Sequence, residues 1–191
     1  FKHPLFLNNF GNSLKVLGIA LPINIVLTVM AGYFMADTTK ALYKRPIVYM
    51  ILFTMFFNGG LIPNYLNIKD LGIYNTIWSL VLPGALSVYN ANICKTAMEA
   101  IPYSLHESAY LEGANDIQIL FKIVLPLMKP TMAVLLLYYG VAHWNAWFNA
   151  SIYIRDEMLL PAQNILRAVL LENTTLAESA GDSYNAYAEA M

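Results

Sequence analysis

The feature that most limits this chain is where its charges are missing. No Asp, Glu, Lys or Arg occurs from Val16 to Ala36, from Pro46 to Ile68, from Leu71 to Cys94 or from Pro130 to Ile154. In the last window His143 is the one ionisable side chain besides tyrosines. About 20 apolar residues at ~1.5 Å rise cross a hydrocarbon core roughly 30 Å thick. Each such segment must be helical, because lipid offers no partner to a bare backbone amide. The windows therefore predict an all-α polytopic membrane bundle with spans near 14–36, 46–62, 74–94 and 126–148, the second interrupted by Gly59, Gly60, Pro63 and Asn64. Only 12% of the 191 residues are charged, against roughly a quarter in soluble domains, so a soluble exterior is excluded.

Other classes fall on the same grounds. A formal net charge of −1, from 11 Lys+Arg against 12 Asp+Glu, removes the basic surface that nucleic-acid binding requires. The single Cys94 excludes an internal disulfide framework and a Cys-based metal site. An intramembrane enzyme needs a nucleophile with its base, or clustered metal ligands. His3, His106 and His143 are far apart, no Ser–His or Asp–Asp pair emerges, and neither a cofactor nor a metal site is expected.

The connections sort by charge. Asp37–Arg45 holds Lys40, Lys44 and Arg45; Lys95, Lys122 and Lys129 flank the third and fourth spans; Asn58–Asn75 holds Lys69 alone. The positive-inside bias places 37–45 and 95–125 in the cytoplasm and 58–75 outside, with both ends of the chain outside as well. From Met158 onward mixed Leu, Ala, Asn and Glu read as one or two exposed helices and a weakly ordered end, so 149–191 is expected to be an external tail of a single transmembrane domain. Phe1 is no initiator, and a piece of a longer membrane protein is expected.

The loop before the fourth span is the most specific stretch. Pro102 sits where a helix begins, since a first-turn proline loses no hydrogen bond. Ser104 and Glu107 have capping-box spacing, and Gly113 ends the helix or admits a close backbone. Pro126 and Pro130 bend the entry into the last span. The reading is a short helix on the membrane surface, with Ile101, Leu105, Ala109 and Tyr110 free to pack and Glu107 and Glu112 solvated.

Glu107-Ser108-Ala109, three residues, Gly113, nine residues, then Ile123-Val124-Leu125-Pro126 resembles the EAA loop of ABC importer permeases. Ser108 replaces the second alanine of that pattern, and Glu112 stands where many relatives place Asp. Phe56-Phe57-Asn58-Gly59-Gly60-Leu61-Ile62-Pro63, and His143-Trp144-Asn145-Ala146-Trp147-Phe148, are similar to carbohydrate-uptake permeases of the maltose type, more narrowly to the LplC and YtcP branch. The resemblance runs from about Asn12 to Leu171. It implies a six-span family of which four spans are here, with a cytoplasmic coupling loop at 99–125.

The resemblance further implies a membrane pathway for a sugar or oligosaccharide and an ATPase on a separate chain. Indeed no Gly-x-x-x-x-Gly-Lys-Ser/Thr phosphate loop is found. Implied partners are that ATPase subunit, a second permease subunit, an extracellular solute-binding protein and membrane lipid. Glu107, Ser108, Ala109 and Gly113 are the expected ATPase contact; Glu107 as a capping partner and Gly113 as a helix terminator are the plainer readings. Asn145, His143 and Trp144 are candidates for the substrate pathway. Against this, a buried His is commonly structural, Trp144, Trp147 and Tyr138 suit an interfacial belt, and Asn145 suits a helix–helix hydrogen bond. A self-contained facilitator or channel is the alternative; the absence of acidic or basic residues from the spans counts against ion coupling.

Overall fold

A computed structural model describes residues 6–36 and 44–171 of the chain. The expected basic loop at 37–43 and the tail from 172 lie outside the described residues. Among the described residues every regular element is helical.

Helix α1 (Phe6–Ala36) contains 31 residues and is about 46 Å long at 1.5 Å per residue, ample for one crossing. Pro22 lies inside it, which a membrane helix tolerates where neighbours take up the freed carbonyl. Helix α2 (Lys44–Phe56) and helix α3 (Leu61–Asp70) form a pair bent by 115°. The break falls where Gly60 takes a φ of 88° and the Asn58 side chain accepts from Gly60 N–H at 3.0 Å. Thus the second window is two helices, not one span over 46–62.

The third window departs further from expectation. Instead of one helix near 74–94 there is a four-residue α4 (Trp78–Val81), a non-helical stretch, and α5 (Val88–Glu99). Pro83 has no N–H to continue α4 and Gly84 has the highest backbone freedom, so the chain turns there. Ser87 then restarts the helix, its side chain accepting from Asn90 N–H at 3.3 Å.

The stretch between α5 and the last long helix, where a coupling loop is expected, carries α6 (Tyr103–Leu111), α7 (Asp116–Ile119), a π-helical turn over Leu120–Val124 and the short α8 (Leu125–Leu127). An 83° bend at Met128 leads into α9 (Lys129–Trp144). After it come α10 (Trp147–Tyr153), a 3₁₀ turn at Glu157–Leu159 and α11 (Ala162–Leu171). Among the described residues, one helix qualifies as a span by length and composition, and up to three if each bent pair counts as one.

Helix α1 is the axis, packing chiefly on α5 and α9. Gly32 makes the first of these contacts possible: a Cβ there would lie 2.9 Å from both Cβ and Sγ of Cys94. Around it Val29, Cys94, Met98, Ala109, Ile119, Val124, Met128 and Leu135 form one core, so the coupling loop and two long helices share it. A second core at the other end joins Val16 and Ala20 to Leu80, Val81, Ala150 and Ile154. Its rim is polar. Asn8 and Asn12 donate to the Met158 carbonyl at 2.8 and 2.6 Å, and Ser13 Oγ accepts from Ala162 N–H at 3.0 Å. These amides hold the segment after α10 against the start of α1.

Candidate functional site

Helix α6 begins at Tyr103, with Pro102 at the N-cap and no side-chain cap. Ser104 is therefore already inside the first turn and cannot cap it, so the expected Ser104–Glu107 capping box does not form. Ser108 Oγ instead back-bonds to the Ser104 and Leu105 carbonyls at 3.0 and 3.2 Å. The box forms one element later: Asn115 accepts from Gln118 N–H at 2.8 Å, and Gln118 accepts from Asn115 N–H at 3.1 Å. Both residues match the pattern of a cap followed by Gln three positions on.

The end of α6 is set by Gly113. Its φ of 82° is the left-handed conformation that glycine adopts without penalty. Gly113 N–H donates to the Tyr110 carbonyl and Ala114 N–H to the Ala109 carbonyl, each at 3.0 Å. This pair is the Schellman closure, which satisfies two carbonyls that the helix end would leave bare. The chain then reverses, and the Tyr110 hydroxyl bonds Asp116 across the turn.

Two of the three EAA positions face outward and one inward. Glu107, Ser108 and Gly113 are exposed, whereas Ala109 is 5% exposed and belongs to the core. At Ala109 a methyl is small enough for α6 to sit directly on that core, so the residue seats the helix. Ile101 and Ala114 pack on the same core, while Leu105 and Tyr110 are exposed. Leu111, at 90% exposure, stands out from the end of α6. Sequence reading passed over it because an apolar residue in a helix is normally assigned inward. The π-helical turn follows, Leu125 N–H reaching back five residues to the Leu120 carbonyl, just before Pro126, which has no N–H to give.

The second candidate group does not converge. Trp144 meets Phe10 edge to face at 6.0 Å between ring centroids. Asn145 is exposed and donates to the Val141 carbonyl of its own helix at 3.0 Å, and among the described residues that is the bond its side chain makes. His143 is half-buried and turns toward α1, where its Nε2 lies 3.3 Å from Asn24 Nδ2. Because that partner is an amide NH₂, Nε2 accepts and the ring proton rests on Nδ1. Trp147 carries the Arg167 guanidinium 3.3 Å above its ring, a cation–π contact that orients α11 against α10.

Asn24 and Thr28 were missed, although two polar residues four apart in a charge-free window are a legible signal. Both are fully buried. Asn24 Nδ2 also donates to the Gly84 carbonyl at 3.0 Å, and Thr28 Oγ1 lies 2.7 Å from the Tyr139 hydroxyl. Asn24 Oδ1 is buried without a hydrogen-bond partner.

Taken together, the bundle is an all-α membrane component with a rigidly seated surface helix that presents an acidic face. The pattern of the family described as the binding-protein-dependent transport system inner membrane component matches residues 4–168. The chain belongs to that family, and its place in the cell membrane follows. It is 33% identical over 186 residues to protein LplC of Bacillus subtilis (strain 168), a match covering 97% of this chain and 63% of LplC. To the polygalacturonan/rhamnogalacturonan transport system permease protein YtcP of the same organism it is 41% identical over 128 residues, covering 67% of this chain and 45% of YtcP. A bacterial ABC transporter involved in the import of the acidic polysaccharide alginate has a similar structure, with a TM-score of 0.85 and 29% identity. That likeness covers 90% of this chain and 61% of the other. The chain thus spans about half to just under two thirds of the length of these relatives.

Proposed function

We propose that this chain is the permease subunit of an ATP-driven importer and forms part of the membrane pathway for a sugar or oligosaccharide. The observation that carries the reading is the mounting of α6. Glu107, Ser108 and Gly113 lie on its outer side, while Ala109 and the Schellman closure fix it to the core shared by α1, α5 and α9. A push on the exposed side is therefore delivered to the spanning helices as a rigid-body movement, which is what coupling to a separate ATPase requires. The permease performs no chemistry. ATP on the ATPase and the loaded solute-binding protein each favour one conformation of the pathway, and the population shifts by their differential affinity. A second permease subunit completes the pathway. Since YtcP is named for polygalacturonan and rhamnogalacturonan transport and the structural relative for alginate import, uronic-acid oligosaccharides are the first substrates to try. Of Asn145, His143 and Trp144, the last two reach α1, through Asn24 and Phe10, and remain the pathway candidates.

The test is uptake into vesicles holding the whole transporter with its binding protein outside. Uptake of a labelled oligogalacturonide or neutral oligosaccharide that stops without internal ATP supports the importer. Uptake that equilibrates without ATP supports the self-contained facilitator instead.

A further inference from the structure

The stretch Leu82–Ser87 interrupts the third apolar window; polar side chains meet it on its inner side and an apolar groove borders the other. Leu82, Pro83, Gly84 and Leu86 are exposed. Two spanning helices nevertheless grip this turn by its backbone. From α1, Asn24 donates to the Gly84 carbonyl at 3.0 Å while its amide also faces His143 at 3.3 Å. From α9, the Tyr139 hydroxyl accepts Ser87 N–H at 3.0 Å. Having accepted there, that hydroxyl has its proton free for Thr28 Oγ1 at 2.7 Å. Asn24 and Thr28 are one helical turn apart, as are Tyr139 and His143. The two rungs therefore tie α1 to α9 and hold both halves of the turn between them.

Non-helical backbone at membrane depth does not face lipid; it persists where protein buries it or where it lines water. In secondary transporters, interrupted helices flank the substrate. The far side of this turn is open space. Leu86 and Val88 form one wall of a groove of about 750 Å³ whose opposite wall is Ile47, Met50 and Phe53 of α2.

We infer that Asn24, Thr28, Tyr139 and His143 are positioning residues of the transport pathway. They touch no sugar themselves but hold the Leu82–Ser87 turn at a fixed height, with its exposed side toward water in the pathway. The inference rests on the importer reading above.

The experiment reads the turn directly and needs no sugar. A reporter thiol replaces Leu86 in a Cys94→Ala background, in the complete transporter reconstituted in vesicles. Its labelling by a small, charged, water-soluble thiol reagent is timed with ATP-trapped and nucleotide-free protein. The reporter is expected to label. Tyr139→Phe and Thr28→Val should each speed labelling about three- to tenfold, the range expected for losing one such hydrogen bond, while Thr28→Ser keeps the starting rate. A reporter that never labels overturns the inference, because the turn then faces lipid or a partner subunit. So do unchanged rates in Tyr139→Phe and Thr28→Val, or a Thr28→Ser rate as fast as that of Thr28→Val. Failure of the importer reading shows separately, as labelling that ignores the nucleotide state in the reporter protein before any clasp residue is changed.

Discussion

Replacing Gly113 separates two roles that the resemblance alone leaves merged. Its φ of 82° costs an ordinary L-residue about 1–2 kcal/mol. Asparagine tolerates that region better than alanine, and a β-branched residue tolerates it worst. A Cβ at this position meets nothing within 4 Å, so within the chain the whole effect is backbone strain. Opposing the strain are the Gly113–Tyr110 and Ala114–Ala109 hydrogen bonds, together about 1–3 kcal/mol net. For alanine the two are comparable and the turn persists in weakened form; for valine strain wins and the end of α6 opens. Amide hydrogen exchange at residues 113 and 114 should therefore quicken in the order Gly, Asn, Ala, Val. For alanine the factor is about 5–30, since 1.4 kcal/mol is tenfold. ATPase retained in detergent should fall in the same order. Asparagine is bulkier than alanine, so the series discriminates. If retention follows bulk, with Asn worse than Ala, Gly113 is a surface that the ATPase touches and the argument from the turn is refuted.

Three further outcomes follow from the packing. Gly32→Ala places a methyl 2.9 Å from Cys94 and should lower stability by about 1–3 kcal/mol, as overpacking does; a thermal melt in detergent should show the loss largely reversed by adding Cys94→Gly, and no recovery would mean that α1 and α5 do not meet there. Asn75, at a φ of 57°, accepts from Arg155 and Asp156 N–H at 2.8 and 3.1 Å. Asn75→Ala should free the segment after α10 and expose it to limited proteolysis, whereas Asn75→Asp keeps the acceptor and should resist. Leu111→Ser, at a site 90% exposed, should leave the melting temperature nearly unchanged, as surface substitutions usually do. Yet it should weaken ATPase retention, and equal retention would exclude Leu111 from the docking face.

Where the charge-free windows coincide with uninterrupted helix-forming sequence, they predict the elements well. Val16–Ala36 falls inside α1, and most of Pro130–Ile154 inside α9 and α10. They misjudge Leu71–Cys94, because hydropathy counts Pro83 and Gly84 as neutral although together they end a helix. The proposed docking face was legible as spacing, but its facing was not. Whether Ala109 points out or in depends on the turn at which α6 starts, and Pro102 sets that turn two residues earlier than a Ser104 cap allows. The polar rungs between α1 and α9 were only half legible. Asn24 and Thr28 stand out as a polar pair in a charge-free window, but their pairing with His143 and Tyr139, more than a hundred residues on, exists only once both helices stand side by side.

The central claim is that the face of α6 bearing Glu107 and Ser108, held in place by the turn at Gly113, binds an ATPase. The direct measurement is co-purification of the full-length protein with the products of its neighbouring genes under ATP-trapping conditions. The account predicts that an ATPase stays bound in detergent and is lost when Glu107→Ala and Gly113→Val are combined, while the permease itself remains in the membrane at normal amounts. A stable permease that retains no ATPase, or retains it undiminished in the double variant, would contradict the account.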